Sequence, residues 1–105
     1  MSAFSERAEP TTRTQASASV ILRHEAGLHA RPAVKLTKLA KKFRSKIFIA
    51  NSPDGPWIDA KSIVKLMAIK TPRDAVLRLR AEGDDAEAAV RALVALVEQD
   101  FSDDG

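Results

Sequence analysis

The start of one predicted helix constrains this chain more than any other feature of its sequence. Apolar residues recur at α-helical spacing and fall within an arc of roughly 120° on a helical wheel; they are Ala33, Leu36, Leu39, Ala40 and Phe43. Pro32 lies in the first turn, where its missing N–H costs nothing because that donor has no intrahelical partner. The sequence therefore predicts a helix that begins immediately after His29 and buries one face.

Four strand-like and two further helical segments complete the predicted order. The strands are expected at residues 20–22, 46–51, 57–60 and 75–81, and the helices at residues 61–69 and from 84 onward. In the last strand Leu77 and Leu79 share one face and Arg78 and Arg80 the other, which predicts a sheet with one face in water. The order β-α-β-β-α-β-α predicts an α+β domain with helices packed on one face of an antiparallel or mixed sheet.

Both later helices carry signals at their starts. Ser62 is a suitable N-cap for the helix at residues 61–69. Asp84 and Asp85 open the last helix, where the helix dipole favours acidic side chains. The buried face of that helix is predicted from its apolar positions: Ala86, Ala89, Val90, Leu93, Val97 and Phe101.

The 105 residues, 45% of them hydrophobic, have room for one domain with a core and not comfortably for two. We expect that domain at residues 19–101. Residues 1–18 are rich in Ser, Thr, Ala and charge and are expected to form a mobile arm. Residues 102–105 form a short acidic tail.

The composition excludes several classes of function. The chain contains no cysteine, so it can form no disulfide, thiolate metal site or cysteine nucleophile. It has no glycine-rich phosphate loop, no apolar run near the roughly 20 residues that span a bilayer, and no secretory signal at its start. We therefore expect a cytoplasmic protein without membrane insertion, cofactor or bound metal.

The net charge of +3 hides an uneven distribution. Residues 1–25 are balanced, residues 26–81 carry 13 basic and 3 acidic side chains, and residues 82–105 carry 1 basic and 8 acidic ones. A basic block of this size is typical of a protein that recognises an anionic ligand or an acidic partner.

The sequence GLHARPA at residues 27–33 is the strongest indication of chemistry. It places His29 directly before a helix whose first turn contains Arg31. A helix N-terminus offers unpaired N–H groups and partial positive charge, which bind phosphate well, and arginine adds donors that grip phosphate oxygens. An imidazole held there can accept a phosphoryl group on a ring nitrogen and pass it on.

GLHARPA resembles the phosphorylation-site motif of the histidine-containing phosphocarrier protein, HPr, of the bacterial phosphoenolpyruvate-dependent phosphotransferase system. KSIVKLM at residues 61–67 resembles that family's regulatory-serine segment, and the resemblance covers residues 19–101. It implies an open-faced β-sandwich with four antiparallel strands and three helices on one face. It also implies that enzyme I phosphorylates His29 on Nδ1, that Arg31 stabilises the phosphate, and that enzyme IIA domains receive it. Such a protein is a monomeric carrier without turnover of its own.

The resemblance also implies a docking patch and a regulatory site. The patch residues are Val34, Lys38 and Lys41 on the first helix, and Ile63, Val64, Lys65 and Met67 on the second. An apolar centre with a charged rim suits transient partners, which should be acidic. In some bacteria an HPr kinase/phosphorylase modifies the serine that matches Ser62, and phosphate there would place negative charge beside the patch.

Three departures from the family pattern favour a specialised branch. Ala26 stands where many members carry a polar residue, Lys70 where a glycine is common, and the loop at residues 52–57 is longer. Such a branch could be a carrier that serves nitrogen-related regulation, fructose uptake or dihydroxyacetone phosphorylation. The first alternative is a regulatory HPr paralogue of the nitrogen or dihydroxyacetone branch.

The second alternative is a small nucleic-acid-binding domain, which the basic block favours. Against it, Trp57 and Phe48 stand alone among the basic residues, and no RNP-like or GXXG signature is present. We expect Trp57 to be a packing or loop-anchoring residue. His24 is expected to be a surface residue near the end of the first strand, since two histidines and Glu25 make a poor metal site.

Overall fold

The computed structural model describes residues 14–25 and 27–101. It contains β1 (Gln15–Ile21), α1 (Ala30–Ala40), β2 (Lys46–Ala50), β3 (Ile58–Asp59), α2 (Ile63–Ala68), β4 (Val76–Glu82) and α3 (Ala86–Glu98). The predicted order of elements is confirmed. No helix in these two ranges is long and apolar enough to cross a membrane. The arm and tail expectations for residues 1–13 and 102–105 lie outside the described residues.

The four strands form one antiparallel sheet in the order β1-β4-β2-β3. β4 lies in the interior of the sheet, where Leu77 pairs with Val20 of β1 and Leu79 pairs with Ile49 of β2. β3 contributes two residue pairs at one edge. The helices pack against one face of this sheet, and the open-faced α+β architecture is confirmed.

Strand β1 begins at Gln15, so the predicted start of order near Ser19 is wrong. The error arose because residues 15–18 contain no large apolar side chain. Ala16 and Ala18 nevertheless pack against the core, and backbone pairing with β4 extends to Gln15 opposite Glu82. Small side chains suit this position because α3 lies close to β1.

The core lies between the sheet and the helices. All five side chains of the stripe predicted for α1 are buried or half-buried, and all six predicted for α3 are buried. Burying one large aliphatic side chain contributes about 1.5–3 kcal/mol relative to its exposure to water. These two stripes therefore determine how α1 and α3 lie on the sheet.

Asp85 stabilises the start of α3 in a way that the sequence did not reveal. It occupies the N-cap position, but its carboxylate makes no capping hydrogen bond to the helix. It accepts hydrogen bonds from the backbone N–H groups of Arg44 and Ser45, each at 2.9 Å, and from the Ser45 hydroxyl. The Ser45 hydroxyl is the largest cause that lowers the pKa of Asp85 from 3.8 to about 2. The carboxylate thus ties α3 to the loop before β2.

Candidate functional site

His29 is the N-cap residue of α1, as the sequence predicted. Its backbone is extended, with φ −95° and ψ −164°, and its side chain is exposed. Its carbonyl accepts the first intrahelical hydrogen bond, from the N–H of Ala33 at 3.0 Å. The imidazole makes no capping bond to the helix, so it is available to a group that arrives from outside the domain.

The loop before His29 is held against the segment that follows α2. Gly27 has a φ of +74°, and a Cβ there would lie 2.5 Å from the carbonyl oxygen of Thr71, so glycine is required. Leu28 is buried and donates its N–H to the same oxygen at 2.9 Å. Asn51 donates to the hydroxyl of the buried Thr71 at 3.2 Å. These contacts fix the backbone that leads into His29.

The first turn of α1 presents positive charge and hydrogen-bond donors beside His29. The N–H groups of Ala30 and Arg31 have no intrahelical acceptor, and Pro32 has no N–H to leave unpaired. The helix dipole adds roughly half a positive charge at this end. Arg31 is exposed and makes no ion pair or hydrogen bond within the described ranges. The surroundings of His29 thus fit an anionic group with several oxygens.

His24 lies beside His29, so the expectation of a surface strand residue is wrong. The centroids of the two imidazole rings are 5.1 Å apart, at an interplanar angle of 58°. β1 ends at Ile21, and the chain then turns back, with the N–H of Gly27 donating to the carbonyl of His24 at 2.9 Å. His24 is half-buried, and its Nδ1 is shielded from solvent without a hydrogen-bond partner among the described residues. The glycine between the two histidines was the available signal for a turn that brings them together.

The end of α3 closes the other side of this ring pair. Phe101 is 3% exposed, and its ring meets that of His24 edge to face at a centroid distance of 5.9 Å. Lys35 of α1 donates through Nζ to the carbonyl oxygen of Phe101 at 2.7 Å. The C-terminal end of the described chain is therefore joined to the first helix next to the histidines.

The predicted docking patch lies on neighbouring helices, since α1 and α2 are in contact. Val34 and Lys38 are exposed on α1, and Lys41 is exposed at its C-cap. An open groove of about 460 Å³ runs beside Arg31, Val34 and Lys38, and so connects the patch to the first turn.

On α2 the patch residues differ in exposure. Val64 is 75% exposed and Met67 40%, and Lys65 is exposed beside them. Ile63 is half-buried and packs against the core, so only part of its side chain belongs to the surface. The side chains that α2 exposes from the predicted patch are therefore the apolar Val64 and Met67 and the basic Lys65.

Ser62 is the N-cap of α2, as predicted, and its Oγ accepts the N–H of Lys65 at 3.3 Å. The helix ends before Lys70, whose φ of +46° lies in the left-handed region. A glycine adopts this conformation at lower cost. Lys70 therefore adopts a backbone conformation that is unfavourable for a residue with a side chain, directly before Thr71, whose carbonyl holds the His29 loop. Ala26, the other departure near the site, lies outside the described residues.

The comparison with known families agrees with this geometry. Residues 16–99 match the family model for the HPr component phosphorylation site of the phosphotransferase system. The chain belongs to the HPr family. It is 35% identical over 85 residues to the phosphocarrier protein HPr of Xylella fastidiosa, an alignment that covers 81% of this chain and 93% of that protein.

The HPr domain also resembles part of a larger protein and a solved structure. It is 41% identical over 86 residues to the multiphosphoryl transfer protein of Vibrio cholerae serotype O1, covering 81% of this chain and 22% of that protein. The chain thus spans about a fifth of that relative. A crystal structure of HPr from Thermoanaerobacter tengcongensis superposes with a TM-score of 0.76 at 38% identity, covering 82% of this chain and 94% of the other.

Proposed function

We propose that His29 accepts a phosphoryl group on Nδ1 from phosphorylated enzyme I and passes it to enzyme IIA domains. The observation that carries this proposal is an exposed imidazole at the start of α1, next to two N–H groups without intrahelical acceptors and to Arg31. In the forward step the lone pair of Nδ1 forms a bond to phosphorus as the bond to the donor breaks. In the second step the bond from Nδ1 to phosphorus breaks as the recipient forms its own bond to phosphorus.

The electrostatic surroundings stabilise the transferred group. A helix N-terminus stabilises an adjacent negative charge by about 0.3–1 kcal/mol, and a hydrogen bond from a charged group such as Arg31 contributes about 1.5–3 kcal/mol. Both favour the phosphorylated state and the transition state, in which negative charge develops on the oxygens. Neither forms a covalent bond to the phosphate, so the group remains transferable.

The same proposal assigns the patch on α1 and α2 to partner docking. Val34, Val64 and Met67 offer an apolar centre, and Lys38, Lys41 and Lys65 surround it with positive charge. Acidic surfaces on enzyme I and on enzyme IIA domains complement this arrangement and raise the rate of encounter. The carrier acts as a monomer that engages each partner in turn.

Ser62 is the proposed regulatory site, with an HPr kinase/phosphorylase as its modifying partner. A phosphate on Ser62 would lie at the start of α2, where negative charge is tolerated, and directly beside the exposed side chain of Val64. It would oppose acidic partners without unfolding the domain.

A regulatory HPr paralogue is the alternative that the sequence departures favour. The left-handed backbone at Lys70 and the predicted length of the loop at residues 52–57 support this alternative. Such a paralogue would still accept phosphate on His29 but would deliver it to a nitrogen, fructose or dihydroxyacetone branch.

Incubation with enzyme I and phosphoenolpyruvate tests the proposal. We expect one acid-labile phosphate per chain, absent in His29→Ala and retained in His24→Ala, which serves as the matched control. Transfer from the phosphorylated protein to each enzyme IIA domain of the host then separates the general carrier from the branch paralogues. Absence of labelling, together with salt-sensitive binding of RNA or DNA, would favour the nucleic-acid-binding alternative.

A further inference from the structure

The face of the sheet opposite the helices carries a second polar groove. Its volume is about 370 Å³, and its polar and ring-bearing walls are Ser17 and Ser19 of β1, Arg78 and Arg80 of β4, and Pro53 and Trp57 of the loop before β3. The alternation along β4 places these arginines away from the core, since Leu77 and Leu79, which alternate with them, are fully buried. The groove is therefore separate from His29 and from the docking patch.

Arg80 is held between two aromatic rings. Its guanidinium carbon lies 4.6 Å from the centroid of Trp57 and 5.5 Å from that of Phe48. The sequence suggested that these aromatic residues stand alone, but the fold brings both to the same basic side chain. Stacking of this kind restricts the orientation of the guanidinium, so less freedom is lost when it binds an anion.

Neither arginine has a partner of opposite charge within residues 14–25 and 27–101. The Nε atoms of Arg78 and Arg80 are shielded from solvent and have no hydrogen-bond partner among the described residues. The groove contains no Asp or Glu. Glu82 follows on the same face of β4, yet no ion pair joins it to either arginine in the described ranges. The groove thus concentrates positive charge that no acidic side chain in the described part of the chain pairs with.

The hydroxyl groups and the indole ring narrow the class of ligand. Ser17 is paired with Arg80 and Ser19 with Arg78, so two hydroxyl donors lie beside the two guanidinium groups. Four donors of this kind suit the oxygens of a phosphate, and Trp57 offers a surface for a planar ring. The groove has the volume of a small-molecule site. We propose that it binds a free nucleoside phosphate, with the phosphate at Arg78 and Arg80 and the base against Trp57.

The chain offers a direct measurement of this binding, because Trp57 is its only tryptophan. Titration of the whole protein with AMP should quench the Trp57 fluorescence. AMP should bind about tenfold or more tightly than either adenosine or inorganic phosphate, since only AMP engages both parts of the groove.

Arg78→Gln is the most informative variant, since Arg78 stacks on neither ring and its loss leaves the Trp57–Arg80 pair intact. It should weaken AMP binding by about tenfold or more, as expected for loss of a charged hydrogen bond. The matched control is Arg91→Gln, on the exposed side of α3, which should bind AMP as the unchanged protein does. Labelling of His29 by enzyme I serves as the folding check for both variants.

Three results would overturn the proposal. The first is AMP binding that is no tighter than that of adenosine or phosphate, and the second is AMP binding that Arg78→Gln leaves unchanged. The third is tight binding of a short single-stranded RNA without measurable binding of AMP, which would make this face a nucleic-acid surface. Calorimetry of the same titrations measures the dissociation constants independently and identifies fluorescence changes that do not reflect binding.

Discussion

At the scale of single residues, the position of the His29 side chain is set by contacts of neighbouring residues, since its imidazole makes no capping hydrogen bond. Gly27 permits the turn, Leu28 anchors it to Thr71, and His24 lies against the imidazole on the side of Phe101. Only Gly27 and Leu28 belong to the sequence motif. His24 contacts the His29 ring directly, although nothing in the motif refers to it.

Loss of the His24 ring should slow transfer without preventing it. In His24→Ala the imidazole of His29 loses the ring at 5.1 Å and gains rotational freedom, so we expect phosphorylation by enzyme I to reach the same extent at a rate about 3–10-fold lower. His24→Phe keeps a ring of similar shape and should restore most of the rate. Rapid-quench kinetics of both variants would show whether packing is the cause; equal rates for alanine, phenylalanine and the unchanged protein would exclude a positioning role.

At the scale of elements, the three helices begin in three different ways. Ser62 caps α2 with its hydroxyl, Asp85 directs its carboxylate to the distant loop before β2, and His29 leaves the first turn of α1 uncapped by its side chain. An uncapped start is less stable by about 1 kcal/mol. In α1 it keeps two N–H groups available, which the proposed phosphoryl group can use.

Substitutions at Ser62 should separate helix capping from charge. Aspartate is also a good N-cap, so Ser62→Asp should leave the free energy of unfolding nearly unchanged while it slows phosphorylation by enzyme I about tenfold, because its charge opposes acidic partners. Ser62→Ala should lose about 1 kcal/mol of stability and keep the transfer rate. Denaturant titrations and labelling rates on the same samples measure both effects. A fast Ser62→Asp variant would contradict regulation by charge.

Asp85 gives the domain a specific sensitivity to acid. Its pKa falls from 3.8 to about 2 in the folded state, so its contribution to stability is complete above about pH 4 and is lost as the pH falls toward 2. Asp85→Asn should therefore reduce the loss of stability across this window. Asp84→Asn is the matched control, because Asp84 is exposed beside the same helix start. Unfolding free energies from pH 2 to 5 test this, and identical slopes for both variants would contradict it.

At the scale of the whole molecule, the sheet separates two basic regions. The helical side carries His29 and the docking patch, and the open face carries Arg78 and Arg80. The basic block of residues 26–81 therefore does not form one surface. Its two parts can be tested separately, because substitutions on one side of the sheet leave the other in place.

The periodic elements were predictable from sequence, and the contacts between distant segments were not. The stripes of α1 and α3 and the alternation of β4 follow local spacing, which hydrophobic periodicity reports well. The start of β1 was missed because its side chains are small and its pairing with β4 is non-local. The contacts of Arg80 with Trp57 and Phe48 are also non-local, because the three residues come from separate segments of the chain, and they were not predicted.

The docking patch should make phosphoryl transfer depend on salt. Lys38→Gln combined with Lys41→Gln removes two exposed charges, one from α1 and one from its C-cap, so transfer from enzyme I should slow about tenfold at low ionic strength. The difference should shrink at 1 M salt, where the Debye length is about 3 Å and exposed charges are screened. The matched control, Lys46→Gln with Arg91→Gln, removes the same charge from exposed positions outside the patch and should leave the rate unchanged. Labelling rates measured across a salt series decide the question: if both double variants slow equally, net charge and not the patch governs encounter.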